Sequence, residues 1–146
     1  MCESRPLLRA YVDTNIFDYV ALRHPTLGRA CKKITDDIRD GVLEAYCSYL
    51  VPIEILGSLA KVDRRIADGA ILAFFSFPVR LIPVDNRLLR KASEIMLETG
   101  LTYDSIHAAA AKRAEVNAVI TEDTRHWSKI EGVEIIRPLD YGRVRK

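Results

Sequence analysis

The sequence predicts an α/β fold: a three-layer α/β/α sandwich whose central parallel sheet has four to five strands. Two observations predict it. Short apolar runs alternate along the chain with longer segments of helical periodicity. The runs also lack the polar and apolar alternation of a sheet with one solvent-facing side, as is typical of parallel strands covered by helices on both faces.

The first elements follow from local signals. Residues 7–12 form an apolar run that ends at Asp13-Thr14-Asn15, a cluster that favours turns and helix caps. We therefore expect a buried strand that leads into a helix. A second helix over residues 27–40 stops at Gly41, and a second strand follows over residues 43–47.

The next helix is placed by a cap signal and a proline. Ser48 is a residue type that caps helices, and Pro52 lacks the N–H that a helix interior needs. Because Pro52 must lie in or near the first turn, the helix is predicted to start near residue 49 or 50.

The second half repeats the alternation of strand and helix. Helical spacing predicts helices over 64–75, 86–99 and 102–113, and short apolar runs predict strands over 79–82, 118–120 and 133–136. Gly100 is expected to end the second of these helices and Thr102 to cap the third.

The composition indicates a single domain over residues 1–146, with a flexible tail at 143–146. No stretch approaches the roughly 20 apolar residues that would span a bilayer, and the N-terminus lacks the apolar run of a secretory signal. The three scattered cysteines lack zinc-site spacing and are interpreted as free thiols. A cytoplasmic protein is the expectation, while the net charge of +2 supports a polyanionic ligand only weakly.

Four acids are expected at one edge of the sheet. Asp13 and Asp123 each follow the end of a predicted strand, where open α/β sheets bind their ligands. Glu54 and Asp104 fall in the first turns of helices that begin at the same edge. Each acid alone has a structural explanation as a turn, cap, solvated or helix-dipole residue. Their coincidence at one edge is what favours a functional site.

Clustered carboxylates repel one another, and no Lys or Arg within these segments is an evident partner. A divalent cation removes that conflict. Ligation by oxygen alone suits Mg²⁺ or Mn²⁺ better than Zn²⁺, which prefers nitrogen and sulfur. The sequence therefore predicts a magnesium or manganese site of the kind used in phosphoryl chemistry.

Five segments carry a family resemblance that covers nearly the whole chain. They are YVDTNIF at 11–17, LVPIEIL at 50–56, LTYDSIHAAAAKRA at 101–114, VITEDTRHW at 119–127 and RPLDY at 137–141. In order and spacing the chain resembles the PIN-domain nucleases, particularly the VapC toxins of bacterial and archaeal toxin-antitoxin pairs.

The resemblance implies a function and a set of residues. It makes the chain a metal-dependent endoribonuclease with an RNA substrate, a small antitoxin partner and a homodimeric state. Asp13, Glu54, Asp104 and Asp123 would be the catalytic metal ligands, with the adjacent Glu122 as a weaker candidate for the fourth position. Asn15 and Thr121 occupy positions where the family often has polar groups around the ligands.

Three neighbouring side chains receive secondary roles. Trp127 is interpreted as a packing residue of the last helix, and His107 and His126 as capping or surface histidines rather than substrate contacts. Seven basic residues are candidates to hold the RNA backbone. These are Arg9, Lys61, Arg64, Arg65, Lys112, Arg113 and Arg125.

Three other interpretations compete. A phosphatase of the haloacid dehalogenase type needs a second aspartate two residues after the first, where this chain has Asn15. A receiver domain needs paired acids before its first helix. The strongest alternative is a PIN-fold module that has lost catalysis and binds RNA or protein, although all four acids are present.

Overall fold

The computed structural model describes residues 7–144 and contains one five-stranded sheet. Every neighbouring pair of strands is parallel. The strands are β1 (Leu8–Val12), β2 (Leu43–Ser48), β3 (Arg80–Ile82), β4 (Ala118–Ile120) and β5 (Glu134–Ile136), in the spatial order β3-β2-β1-β4-β5. The predicted α/β fold with a parallel sheet is confirmed.

Helices connect the strands. They are α1 (Thr14–Ala21), α2 (Gly28–Arg39), α3 (Leu50–Ala60), α4 (Arg64–Ser76), α5 (Asn86–Thr99), α6 (Tyr103–Arg113), α7 (Thr124–Trp127) and α8 (Tyr141–Val144), with a 3₁₀ turn at Pro138–Asp140 before the last. Helices α1 to α4 contact one another, and α5 packs on α6. Since crossovers between parallel strands are right-handed, these two groups cover opposite faces of the sheet.

Most predicted boundaries agree with the structure within one or two residues. Ser48 differs, because it is the last residue of β2 and Tyr49 is the cap of α3. The Ser48 hydroxyl nevertheless accepts a hydrogen bond from the Leu50 N–H, as a capping side chain does. Gly100 ends α5 with φ of +78°, a backbone conformation that glycine adopts without strain.

The chain end was predicted to be a loose tail at 143–146. Its first two residues belong to α8, and residues 145–146 lie outside the described part of the chain. Tyr141 of α8 is buried, and its hydroxyl donates to the buried Asp37 carboxylate of α2 at 2.8 Å. Helix α8 is thereby fastened to α2. None of the helices between residues 7 and 144 has the length and apolarity needed to cross a bilayer.

The strand order reverses beside β1. Successive strands β1, β2 and β3 extend in one direction, whereas β4 and β5 lie on the other side of β1. Their connections diverge there and leave a crevice beyond the carboxyl ends of β1 and β4, where open α/β sheets bind ligands. Asp13 follows β1 and its N–H donates to Ile120 O at the end of β4, 3.0 Å away. The topology thus places Asp13 at the crevice.

Candidate functional site

The four predicted acids meet in an open cleft of about 250 Å³ beyond the sheet edge. We call this the acidic cleft. Its lining residues come from the end of β1, from α1, α3 and α6, and from the end of β4. They are Asp13, Thr14, Asn15, Asp18, Glu54, Ser58, Asp104 and Asp123. The sequence prediction that these four acids lie together therefore agrees with the geometry.

Asp13 is the most tightly held acid, and it is only 5% exposed. Its Oδ1 accepts from the Thr14 N–H at 2.8 Å, which caps α1. Its Oδ2 accepts from Thr121 Oγ at 2.8 Å and from Trp127 Nε1 at 3.1 Å. A buried carboxylate held by this many donors keeps one orientation. A capping role and a role in the site are therefore compatible for Asp13.

Glu54 enters the cleft from α3. Its Oε1 accepts from Thr14 Oγ at 2.7 Å and lies 2.7 Å from His107 Nε2. Burial opposes ionisation of Glu54, but the hydrogen bond and charge of His107, helped by Thr14, bring its pKa below the usual value. The same pairing raises the pKa of His107 against the effect of its burial. Both shifts favour a charged pair.

Asp104 and Asp123 form the other side of the cleft, with His126 between them. His126 Nδ1 lies 2.6 Å from Asp123 Oδ2 and 3.2 Å from Asp104 Oδ2. Burial, followed by the charge of Asp13, raises the pKa of Asp104 to about 6, and Asp123 adds to the shift while the histidines oppose it. No hydrogen bond reaches the Asp104 carboxylate from residues 7–144. Within this part of the chain, the contact with His126 is the closest ion-pair contact of the Asp104 carboxylate.

The three weaker candidates occupy distinct positions. Thr121 Oγ donates to Asp13 and accepts from the Asp123 N–H at 3.0 Å, so it joins two of the acids. Asn15 donates to Thr121 Oγ at 3.2 Å and accepts from the Glu122 N–H at 3.3 Å. The Glu122 carboxylate instead pairs with Arg137, at 2.8 Å. Of the two adjacent acids, Asp123 is the one that lines the cleft.

The two histidines lie in different surroundings, and only His107 departs from the sequence interpretation. His107 is 1% exposed, so it is a core residue that contacts Glu54. His126 is 45% exposed and contacts two acids of the cleft. Both contacts were missed because only Lys and Arg were considered as partners of the acids. A histidine on an alanine-rich helix and a histidine in a short polar turn each have an ordinary structural explanation. Their spacing of three residues from Asp104 and from Asp123 places each on the same helix face as an acid.

Asp18 is a fifth carboxylate of the cleft that the sequence analysis missed. Its Oδ2 accepts from Ser58 Oγ at 2.8 Å, whereas its buried Oδ1 has no hydrogen-bond partner among the described residues. The signal was helical spacing, since Thr14 and Asp18 are four residues apart on α1. They contact Glu54 and Ser58, which are four residues apart on α3.

We expect Asp18→Asn to stabilise the metal-free protein. Burial, opposed by the Ser58 bond and assisted by the charges of Glu54 and Asp13, raises the pKa of Asp18 to about 6. A raised pKa of an acid costs stability above that pH, so the variant should gain about 1–2 kcal/mol at pH 7.5. The gain should vanish near pH 4, where the folded carboxyl is already protonated. Urea unfolding at the two pH values measures both, and an equal gain at both would contradict the electrostatic cause.

The donor set fits a hard divalent cation. The cleft offers carboxylate oxygens, including Glu54 Oε2 and the Asp104 oxygens, that no group within residues 7–144 hydrogen-bonds. Two subsets bring potential ligand atoms within 4.8 Å of one another, one around His107 and one around His126. Oxygen-rich ligation of this kind suits Mg²⁺ or Mn²⁺.

The PIN domain family matches residues 10–133, most of the chain. The chain therefore belongs to the PIN domain family, and the resemblance drawn from its motifs is confirmed. No curated protein sequence matches it at a significant level.

Solved structures of VapBC and VapC proteins share the fold. VapBC2 of Rickettsia felis, bound to a promoter DNA fragment, superposes with a TM-score of 0.67 at 15% identity, over 89% of this chain and 98% of that one. DNA-bound VapBC of Salmonella typhimurium gives 0.66 at 17% identity, over 90% and 99%. VapC20 of Mycobacterium tuberculosis, a toxin that cleaves the sarcin-ricin loop, gives 0.64 at 18% identity, over 75% and 86%. The chain thus shares its fold with these VapBC and VapC structures.

Proposed function

We propose that the chain is a metal-dependent endoribonuclease, and that it is the toxin of a toxin-antitoxin pair. The observation that carries the proposal is the convergence of Asp13, Glu54, Asp104 and Asp123 on one cleft, with carboxylate oxygens that have no donor among residues 7–144. These four residues would hold Mg²⁺ or Mn²⁺. Membership of the PIN domain family and the shared fold with VapC20, a toxin that cleaves the sarcin-ricin loop, support the same reaction class.

The residues of the cleft would divide the work. An ion bound there supplies an activated water and offsets the charge that grows on the phosphate during cleavage. Asp13 keeps its position through Thr121 and Trp127, and Thr14 and His107 keep Glu54 in place. No side chain needs to form a covalent bond to the substrate. An in-line attack by water would leave a 5′-phosphate and a 3′-hydroxyl.

The basic residues are not equally available to RNA. Arg9 is paired with Glu44, and Arg113 with Asp85, both at 2.9 Å. Arg125 lies on α7 immediately before His126, which contacts two acids of the cleft, and it forms no ion pair within residues 7–144. We therefore favour Arg125 over Arg9 and Arg113 as a contact for an RNA phosphate next to the scissile bond.

An antitoxin would have an apolar surface to bind. Helix α4 buries Phe74 but leaves Leu72 68% and Phe75 55% exposed. Beside it, an apolar cleft of about 270 Å³ is lined by residues that include Phe17 and Phe77. A toxin-antitoxin complex from Klebsiella pneumoniae shares this fold. Co-purification of the chain with any small protein encoded beside its gene tests the partner, and the mass of the free chain tests the homodimer. The cytosolic location stays a prediction.

The central test is cleavage of mixed RNA with and without Mg²⁺. We expect the wild type to cleave only with the ion, and Glu54→Gln to lose roughly 100-fold or more, because several kcal/mol of charge stabilisation depend on the ion. The amide can still accept from Thr14 and His107, so this variant should fold. Asp13→Asn should be equally inactive but less stable. Both Asp13 oxygens accept hydrogen bonds, so the amide nitrogen that replaces one of them would face an N–H or O–H donor.

Metal binding should be visible without catalysis. Millimolar Mg²⁺ or Mn²⁺ should raise the melting temperature of the wild type by linkage, and chelator should reverse the shift. A melting temperature that does not change when the ion is added, together with metal-independent RNA binding, would favour the inactive binding module instead.

A further inference from the structure

The Glu54 carboxylate is held from one side only. Oε1 takes both contacts, from Thr14 Oγ and His107 Nε2, each at 2.7 Å. Oε2 forms no hydrogen bond with any other group in residues 7–144. Thr14 is the first residue of α1, whereas His107 comes from α6 on the opposite face of the sheet. One oxygen is thus fixed from two elements while the other remains available to the cleft.

His107 is in turn fixed by the core. Its Nδ1 lies 2.6 Å from the Tyr11 hydroxyl on β1. That hydroxyl donates to Ser48 Oγ at 3.0 Å and accepts from the Ser48 N–H at 3.1 Å. Tyr11 and Ser48 are both fully buried. A buried network in which every member has partners holds a single arrangement, so the imidazole has little freedom to rotate.

The position of the ring hydrogen follows from the partners. An ionised carboxylate can only accept, so the short contact to Glu54 requires a hydrogen on His107 Nε2. The Tyr11 hydroxyl gives its one hydrogen to Ser48 Oγ, so its oxygen accepts from Nδ1, and the ring then carries a hydrogen on both nitrogens, as in the charged pair with Glu54. A nitrogen that carries a hydrogen has no lone pair for a metal. This excludes Nε2 as a ligand in this arrangement, although it lies only 3.9 Å from Asp13 Oδ1.

We propose that His107 is a positioning residue. The Tyr11–Ser48 pair holds its imidazole, the imidazole holds Glu54 Oε1, and Glu54 Oε2 is thereby directed at the bound cation. The inference rests on the proposed function, since it assigns a role in the same cleft. It also means that His107 is not a metal ligand, although its short distances to Asp13 and Glu54 alone would suggest that it is one.

The test compares three variants on α6. His107→Leu removes the Nε2–H donor and puts an apolar group of similar bulk in its place, while His107→Gln retains an N–H that can reach Glu54. Ser105→Ala is the matched control, because Ser105 is buried on the same helix and its hydroxyl bonds only Leu101 O within residues 7–144, at 2.6 Å. We expect His107→Leu to lower kcat and Mn²⁺ affinity by about 10–100-fold with KM for RNA almost unchanged, as for other groups that orient metal ligands. His107→Gln should recover most of the loss, and Ser105→Ala should change only stability.

Two measurements on the proteins complete the test. Mn²⁺ binding by electron paramagnetic resonance needs no RNA, and two-bond ¹H–¹⁵N spectra of the wild type show which ring nitrogen of His107 carries hydrogen. We expect Nε2 to keep its hydrogen when Mg²⁺ is added. Loss of that hydrogen would make His107 a ligand and overturn the proposal, even if His107→Leu failed to fold.

The outcomes also separate the two proposals. A wild type that cleaves RNA and binds Mn²⁺, with His107→Leu equal to it, overturns the positioning role alone. A wild type that neither cleaves nor binds Mn²⁺ overturns the proposed function and the positioning role together.

Discussion

Replacing Asp104 by asparagine should produce a protein that is folded, more stable without metal and inactive. Its carboxylate lies in the acidic cleft with His126 Nδ1 at 3.2 Å and without a hydrogen bond from residues 7–144. The asparagine oxygen can still face His126. The neutral amide is a poorer ligand for a hard cation, so cleavage should fall by roughly 100-fold or more.

The stability gain follows from linkage. Burial and the charge of Asp13 raise the pKa of Asp104 to about 6, above the 3.8 of a free aspartate. As pH rises from about 4 to 6, the unfolded chain releases this proton before the folded one does, so the folded state loses stability and does not regain it above pH 6. The full shift corresponds to about 3 kcal/mol, and solvent in the open cleft reduces the expected gain to about 1–2 kcal/mol at pH 7.5.

Melting temperatures of wild type and Asp104→Asn, with and without Mg²⁺, measure both effects. Without metal the variant should melt higher by a few degrees, on the scale of about 3 °C per kcal/mol for a chain of this length. With Mg²⁺ the melting temperature of the wild type should equal or exceed that of the variant. If Asp104 only stabilised the helix dipole, asparagine would cost at most about 1 kcal/mol and cleavage would persist. A stable variant with full activity would contradict the proposal of an acidic metal site.

Much of the fold was predictable because its signals are local. Apolar runs mark the buried strands, and Gly100 and Pro52 mark helix ends that follow from backbone chemistry. The positions of Asp13 and Asp123 were predictable for a topological reason, since parallel strands end at one edge and ligands bind where the strand order reverses. These inferences need no knowledge of side-chain contacts.

The partners of the acids were not predictable in this way. The contact between His107 and Glu54 joins residues 53 positions apart, across opposite faces of the sheet. Asp18 looks like an exposed helix residue until α3 packs against α1 and buries its Oδ1. Glu122 and Asp123 are neighbours in sequence, and only the backbone direction after β4 sends one to Arg137 and the other into the cleft. Such outcomes depend on tertiary packing.

Replacing Trp127 by alanine should damage stability far more than it damages chemistry. The indole is 0% exposed, and its ring centroid lies 6.1 Å from that of Tyr11. A fully buried ring cannot stack on an RNA base, which agrees with its interpretation as a packing residue. Removing a buried Trp side chain leaves a cavity and costs about 3–5 kcal/mol. This is a large part of the total stability of a typical domain, about 5–15 kcal/mol.

Trp127→Phe is the matched control for the second contact of the indole, the bond from Nε1 to Asp13 Oδ2 at 3.1 Å. Phenylalanine fills most of the volume and removes only that donor, at a cost of about 1–3 kcal/mol for a hydrogen bond to a charged group. Asp13 keeps Thr121 Oγ and the Thr14 N–H, so cleavage should fall by less than in Glu54→Gln. Urea unfolding beside RNA cleavage, at a temperature where each variant is folded, separates packing from orientation. Unchanged stability of Trp127→Ala with lost cleavage would contradict the packing role and make the tryptophan part of the reacting site.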